Sequence, residues 1–449
     1  MTSPLMISVA GVRGIVGDSL TPTVAGRFSA AFARALGPGP VVVGRDARRS
    51  GPVIYHAVAA GLRAAGRDVV DLGLATTPTT QIAVERLRAA GGVILTASHN
   101  PAAWNALKFL SARGEFLGPE EGAVVRASFE SHADLWAAAD ALGAERTEPA
   151  ALGWHLERVL GLGLLDLEVI RRRALKVVVD GCSSVGGVAV PPLLRALGAS
   201  VVELDCVPDG DFRRELEPLP EHLGRLSQAV TEAAADFGVA LDPDADRAAF
   251  VDRRGVPLGE EFTVALGAQA VLARQRGPVV TNLSTSRIVD AVCMRAGVPL
   301  HRTAVGEAHV VAAMRAVGAV VGGEGNGGVI LPAAHYGRDG LVAVALIAQA
   351  VAAGGNTLRA LADALPALHM VKRKLPLPDE GWEGPAERLR RRFAGYAADE
   401  TDGLRLERGE EWVHVRPSGT EPVVRVIAEA PARSRALDLI AEARAAVEG

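Results

Sequence analysis

Three aspartates alternate in the segment LDPDADR, Leu241 to Arg247, directly after the apolar run GVAL. An irregular turn could gather Asp242, Asp244 and Asp246 around one hard cation, and an all-oxygen donor set suits Mg2+. The alternative is a solvated acidic turn, but crowded carboxylates repel one another unless a cation or the adjacent Arg247 neutralises them. A helix-loop-helix calcium site is excluded, because counting from Asp242 puts Arg247 where that loop needs glycine and Arg253 where it needs glutamate.

A second loop, TASHNPAAWNALKF from Thr96 to Phe109, follows the apolar GVIL. A serine held at a strand end close to helix amides suits a phosphate carried on its own oxygen, which N–H groups and the positive helix end stabilise. Ser98 is thus a candidate nucleophile, although Ser98, His99 and Asn100 could equally do no more than shape a turn. A serine-hydrolase triad fits poorly, since His99 is the adjacent residue and no GxSxG surrounds Ser98. Lys108, Lys176, Lys372 and Lys374 are the only lysines among 48 basic residues. Lysine titrates when desolvated and arginine does not, so Lys108 is a candidate general acid or base; an exposed strand lysine is the alternative.

Two further loops could bind ligand. GGEGNGGVI, Gly322 to Ile330, combines glycines that permit close approach with Glu324 and Asn326, whose acceptors and donors suit sugar hydroxyls. Strand residues follow it, which disfavours a dinucleotide site and leaves a plain hairpin as the alternative. RPSGTEP, Arg416 to Pro422, offers a forked guanidinium, two hydroxyls and backbone N–H groups to a phosphate dianion, or else simply turns the chain. GVRGIVG near the start and GRDARRSG at Gly44 add arginines, of which Arg13 is the one expected to face an anion. Taken together, a phosphorylatable serine, a metal cluster, a hydroxyl-binding loop and a phosphate clamp point to phosphoryl transfer on a sugar.

The elements that must carry these loops alternate. VVVG at Val41, VVDLG at Val69 and GVILTASHN at Gly92 are β-rich runs separated by Ala/Leu/Arg helical periods. The rhythm returns with KVVVDG at Lys176, VVELD at Val201 and FGVALDPDADR at Phe237, then with PVVTNLS at Pro278 and AVVGGEGNGGVI at Ala319. Each strand leads into a loop rich in Gly, Ser, Asn or Asp, where open α/β sheets bind ligands. After the Pro/Lys-rich stretch KRKLPLPDEG at Lys372 the pattern becomes a helix, two alternating strands around WVHVRPSGTEPVVRVIAEA, and a last helix.

Composition agrees with a large globular chain: 449 residues suggest about three domains at roughly 150 each. Hydrophobic residues at 49% can fill several cores, and 50 Gly with 26 Pro belong in functional loops. The net charge of −4 gives no global field towards nucleic acid or an anionic membrane, so any phosphate site is local. No apolar run approaches the roughly 18 residues of a membrane span, the cleanest being VAVALI at Val342, and no secretory signal pattern opens the chain. The expectation is a cytoplasmic protein with no nucleic-acid or membrane partner. Cys182, Cys206 and Cys293 lack CxxC spacing and are expected to be buried thiols.

With TASHNP, DPDADR and SGTEP in this order, nearly the whole chain resembles the α-D-phosphohexomutase family, and within it the archaeal-type phosphoglucosamine mutases. The resemblance implies three similar α/β domains plus a smaller C-terminal α+β domain around a central cleft, here 1–150, 151–252, 253–368 and 369–449. It implies a phosphoryl group on Ser98, Mg2+ held by Asp242, Asp244, Asp246 and that phosphate, and a hexose 1,6-bisphosphate as activator. Arg247 would steady the metal loop, His99 and Arg13 would belong to the catalytic set, and Lys108 would move protons. Glu324 and Asn326 would hold sugar hydroxyls, and Arg416, Ser418, Gly419 and Thr420 the non-reacting phosphate. The partner would be a small sugar phosphate, the assembly a monomer or homodimer.

GEGNGG departs from the GExSGH common in the family, which bears on the sugar. Glu307, in TAVGEAHV, is an acid that could favour an ammonium at C2, so glucosamine is expected first, then glucose or mannose. A metal-dependent phosphatase would have no need of the RPSGTEP clamp. A sugar-phosphate sensor would not need Ser98 and three aspartates.

Overall fold

The strands Val41–Arg45 and Gly91–Leu95 are apolar up to Gly44 and throughout, respectively, because both faces of the sheet they form are covered. Val41 and Val43 pack with Phe28, Phe32, Ile54 and Leu62 on one side, whereas Val42 packs with Ile94 and Val84 on the other. The computed structural model describes residues 5–131, 135–379, 381–418 and 423–449. In the first unit, seven strands lie in the order Met6–Ser8, Gly11–Ile15, Trp104–Leu110, Gly91–Leu95, Val41–Arg45, Val69–Leu74, Glu145–Thr147. Val41–Arg45 is parallel to both its neighbours, and Trp104–Leu110 runs antiparallel between Gly91–Leu95 and Gly11–Ile15. The glycine-rich GVRGIVG is therefore largely a strand; a Cβ on Gly11 would lie 2.2 Å from the Leu107 carbonyl oxygen, so only glycine allows the close pairing.

The second sheet has the order Ala248–Asp252, Phe237–Leu241, Lys176–Asp180, Ser200–Leu204, and the third Leu300–Thr303, Val279–Asn282, Val321–Glu324, Gly328–Leu331, His335–Arg338. Both have parallel strands with antiparallel ones added at one end. One continuous apolar core extends from Val159 to Leu365 and joins these two sheets. The helix Gly340–Ala353, which contains VAVALI, is buried almost all round and lies within this core, packed on Glu261–Leu272 and Gly186–Ala196. Asp339 caps it, accepting from the Leu341 and Val342 amides at 2.8 and 3.1 Å.

The last unit is an antiparallel sheet of five strands, not two: His369–Pro376, Val423–Ala430, Glu411–Pro417, Leu404–Arg408, Ala397–Asp399. The stretch KRKLPLPDEG begins inside the first of these. Val371 and Leu375 turn to the core while charged residues alternate outward, and an edge position tolerates Pro376. Val413, Val415, Val424 and Val426 face helices Glu383–Arg392 and Arg433–Glu448. The other face carries His414, Arg416, Arg425 and Glu429. All three cysteines are buried, and among the described residues no helix is long and apolar enough to cross a membrane.

Candidate active site

Ser98 lies three residues beyond Gly91–Leu95, at the carboxyl end of the strand. Its φ of 48° is left-handed, a conformation a non-glycine residue adopts only when its surroundings impose it. Here the imposing group is Arg48, from the GRDARRSG segment, whose guanidinium is fully buried. It donates to the carbonyls of Ser98 and Asn100 at 2.5 and 2.6 Å and of Pro101 and Trp104 at 2.8 and 3.0 Å. Its Nε donates to Asp46 at 3.1 Å, and Asp46 also accepts from Thr96 at 2.6 Å. The Ser98 amide donates to Thr96 Oγ1 at 3.0 Å. An arginine expected merely to add positive charge thus shapes the serine loop, while Arg13 donates to Asn100 Oδ1 at 3.2 Å.

Ser98 Oγ donates to Asp242 Oδ2 at 3.0 Å, bringing the serine loop against the aspartate loop. One carboxylate oxygen from each of Asp242, Asp244 and Asp246 lies within 4.8 Å of the others, and all three side chains are buried. Ala245, at φ 54°, makes the turn that gathers them. Burial, then Asp246 and Asp244, push the Asp242 carboxyl well above the usual range. Burial acts the same way on Asp244, but there the Lys108 ammonium at 2.9 Å and the Thr77 hydroxyl at 2.7 Å outweigh it and hold that carboxyl low. Asp244 Oδ1 and Asp246 Oδ1 are buried with no hydrogen-bond partner. Two orphaned carboxylate oxygens in an all-oxygen cluster are what a divalent cation such as Mg2+ would satisfy.

Arg247 brackets this cluster, with Nε 3.5 Å from Asp246 and 3.9 Å from Asp242, and Nη1 3.4 Å from His99 Nδ1. Burial, and then Arg247, Arg425 and Arg13, depress the His99 imidazole to about 2. His99 is accordingly neutral across the physiological range.

The sugar-loop candidates meet at a residue that sequence reading passed over. Arg338 Nη1 and Nη2 donate to Glu324 Oε2 and Asp246 Oδ2, each at 2.6 Å, and its Nε lies 2.9 Å from Glu307 Oε2. Glu324 Oε1 accepts from Asn282 at 2.7 Å and from the Gly306 amide at 3.1 Å. Asn326 donates to Glu324 Oε2 at 3.4 Å and keeps its own buried Oδ1 unpartnered. Glu307, expected as an acid near the sugar, is buried and paired with Arg338, because a buried carboxylate needs a matching charge. The signals for Asn282 and Arg338 were polar residues ending the strands VVTN and HYGR.

From the last unit, Arg416 and Arg425 are cross-strand partners on one face. Burial lowers Arg416, partly opposed by Asp402, while Arg425 adds to the lowering. Arg416 Nε lies 3.8 Å from Asp402. Ser418 follows the strand Glu411–Pro417, its amide donating to the Val423 carbonyl at 2.8 Å; Gly419 and Thr420 lie outside the described residues. This face docks on the third unit through Lys372, which donates to Glu260, Glu261 and the Gly325 carbonyl at 2.7, 2.9 and 3.2 Å. Ser284 meets His414 at 2.9 Å across the same junction.

Four family descriptions match in order: "Phosphoglucomutase/phosphomannomutase, alpha/beta/alpha domain I" at 6–135, domain II at 155–255, domain III at 260–369 and the C-terminal domain at 348–447. A "Phosphoglucomutase/phosphomannomutase" of Thermococcus kodakarensis is 37% identical, covering 96% of this chain and 95% of its own. A "Probable phosphoglucosamine mutase" of Methanopyrus kandleri is 38% identical with the same coverages. A phosphoglucomutase/phosphomannomutase family structure from Burkholderia thailandensis superposes with TM-score 0.85 at 29% identity, covering 99% of this chain and 98% of that one.

Proposed function

Because this chain belongs to the phosphoglucomutase/phosphomannomutase family, we propose that it interconverts 6-phospho and 1-phospho hexoses through a phosphoserine at Ser98. The observation that carries the reading is the serine itself: held at a left-handed φ, its Oγ is 3.0 Å from an aspartate of a buried three-carboxylate cluster.

In the first half-reaction the bond between Ser98 Oγ and phosphorus breaks and a bond from the free sugar hydroxyl forms, giving a hexose 1,6-bisphosphate. The hydroxyl proton ends on Ser98 Oγ, with Lys108 as the amine beside that path. The bisphosphate then turns over in the cleft and returns its other phosphoryl to Ser98, so a supplied 1,6-bisphosphate acts as activator. Asp242, Asp244, Asp246 and the phosphoserine would hold Mg2+, which when bound neutralises charge on the transferring group. Arg247 and neutral His99 line the serine side, while Arg416 and Ser418, with Gly419 and Thr420, clamp the other phosphate. Glu324 and Asn326 accept and donate to the hydroxyls.

For the sugar, glucosamine is the first reading. Asp246, Glu307 and Glu324 share the single Arg338 guanidinium, an acidic surrounding that an ammonium at C2 would match. Glucose or mannose is the second reading, favoured by the pairing of Glu307 with Arg338 and by the name of the Thermococcus relative.

The test compares kcat/KM for glucosamine 6-phosphate, glucose 1-phosphate and mannose 1-phosphate with Mg2+ and the matching 1,6-bisphosphate. Ser98→Ala is expected to abolish turnover with the fold intact and to lose the roughly 80 Da of the phosphoryl group in intact mass. Normal turnover in that variant would overturn the reading, and steady phosphate release without isomerisation would replace it with a phosphatase.

A further inference from the structure

Arg338 ends the strand His335–Arg338, one residue before the cap Asp339, and its side chain is nine-tenths buried among carboxylates from three separate segments. Asp246 belongs to the candidate cation cluster, Glu324 to the sugar loop and Glu307 to the start of helix Glu307–Val317. A planar guanidinium spreads its donors over three nitrogens and so spans carboxylates set apart around its rim, whereas the three donors of an ammonium radiate from a single nitrogen.

The backbone places both loops on the same support. The Ala248 amide donates to the Gly327 carbonyl at 3.0 Å, and the Gly340 amide to the Ala245 carbonyl at 3.1 Å. Gly328 leaves room for the arginine stem, since a Cβ there would lie 2.3 Å from Arg338 Cδ. With Oδ2 of Asp246 tied to Arg338, its Oδ1 is the oxygen left without a hydrogen bond, 3.5 Å from Arg247 Nε. At the other end, Glu324 is held by Arg338, Asn282 and the Gly306 amide, so its acceptor edge is fixed.

We propose that Arg338 is the positioning residue that couples the cation loop to the sugar loop, so that a change at Glu324 is felt at Asp246 and the reverse. The sugar half of this coupling rests on the mutase reading above; the cation half does not. Nothing else among the described contacts joins the carboxylates of these two loops directly. The guanidinium is anchored by both carboxylates: when Glu324 loses its charge, Arg338 is held less firmly and orients the Asp246 carboxylate less well for a cation.

The test is calorimetric titration of Mg2+ into the full-length protein without sugar phosphate, for wild type, Arg338→Lys and Glu324→Gln, each checked for cooperative unfolding. Arg338→Lys keeps the charge and loses the fork, so its Mg2+ Kd is expected to rise about tenfold. Glu324→Gln keeps the shape and removes a charge in the other loop, so its Mg2+ Kd is expected to rise about fivefold. A role confined to folding would leave Kd unchanged in protein that unfolds cooperatively. A Kd within about twofold of wild type in either folded variant overturns the coupling. Should Arg338→Lys fail to fold, the isosteric Glu324→Gln decides alone. In parallel, the KM for glucosamine 6-phosphate should rise in both variants. Wild-type protein that turns over no hexose phosphate would overturn the mutase reading while leaving the calorimetric result to judge the coupling.

Discussion

Substituting Arg48 with lysine keeps the buried positive charge and removes the fork that spans the serine loop. The guanidinium serves five acceptors, the carbonyls of Ser98, Asn100, Pro101 and Trp104 and the carboxylate of Asp46. An ammonium offers three donors from one point, so at least two acceptors lose their partner. Arg48 is 1% exposed, which leaves no solvent to replace them. At about 1.5–3 kcal/mol for each charge-assisted bond, the loss is about 3–6 kcal/mol, against about 5–15 kcal/mol for the whole stability of a domain. The first unit should unfold about 6–24 °C earlier at about 2–4 °C per kcal/mol. The same carbonyls keep Ser98 at φ 48°, a conformation costing about 1–3 kcal/mol that a slack loop would relax. A displacement of about 1 Å at the nucleophile then lowers turnover about 100-fold. Scanning calorimetry reads the first effect, and mutase progress curves at a temperature where the variant stays folded read the second. Turnover within about twofold of wild type in folded Arg48→Lys would refute the clamp. An unchanged unfolding temperature would refute the accounting of the buried bonds.

Asp244→Asn removes the charge that faces Lys108 and one of three candidate ligands, so half-saturation by Mg2+ should rise at least about tenfold while kcat falls; an unchanged magnesium titration would count against the metal assignment. Burial pushes the Glu261 carboxyl up to about 7, with Lys372 pulling it down and Glu260 pushing it further up. The folded protein therefore holds a proton that the unfolded chain releases at lower pH, and stability should fall as pH rises from the ordinary glutamate range through about 7. Unfolding temperatures measured across that window should slope less in Glu261→Gln; equal slopes would show that this carboxyl does not titrate between the two states.

Several features could be read from residue order alone because they are local. Apolar runs of Val, Ile and Leu ending in Gly, Ser or Asp marked the strands and the ends that carry chemistry, so Ser98, the three aspartates and the glycine-rich loop all stand at strand ends. The VAVALI run was legible only as an apolar stretch too short to span a membrane; that it belongs to a helix in a core shared by two sheets depends on packing. The five-stranded last sheet was harder to see, because His369–Pro376 sets three consecutive charged residues between Val371 and Leu375 and ends in proline, which reads equally as a linker.

Pairings across long separations left no such trace. Arg48 is 50 residues from Ser98, and Arg338 is 92 residues from Asp246, and in a chain with 48 basic residues nothing local distinguishes either from a surface arginine. The same holds for Glu307, whose type suggested an acid near the sugar and whose pairing with Arg338 no local pattern signals. The sequence by itself determined which loops stand at strand ends and which chemistry their side chains can perform, since alternation and composition act over a few residues. The tertiary structure alone decided which of those charges meet, because burying a carboxylate requires a partner, and the partner comes from whichever strand the sheet order brings beside it.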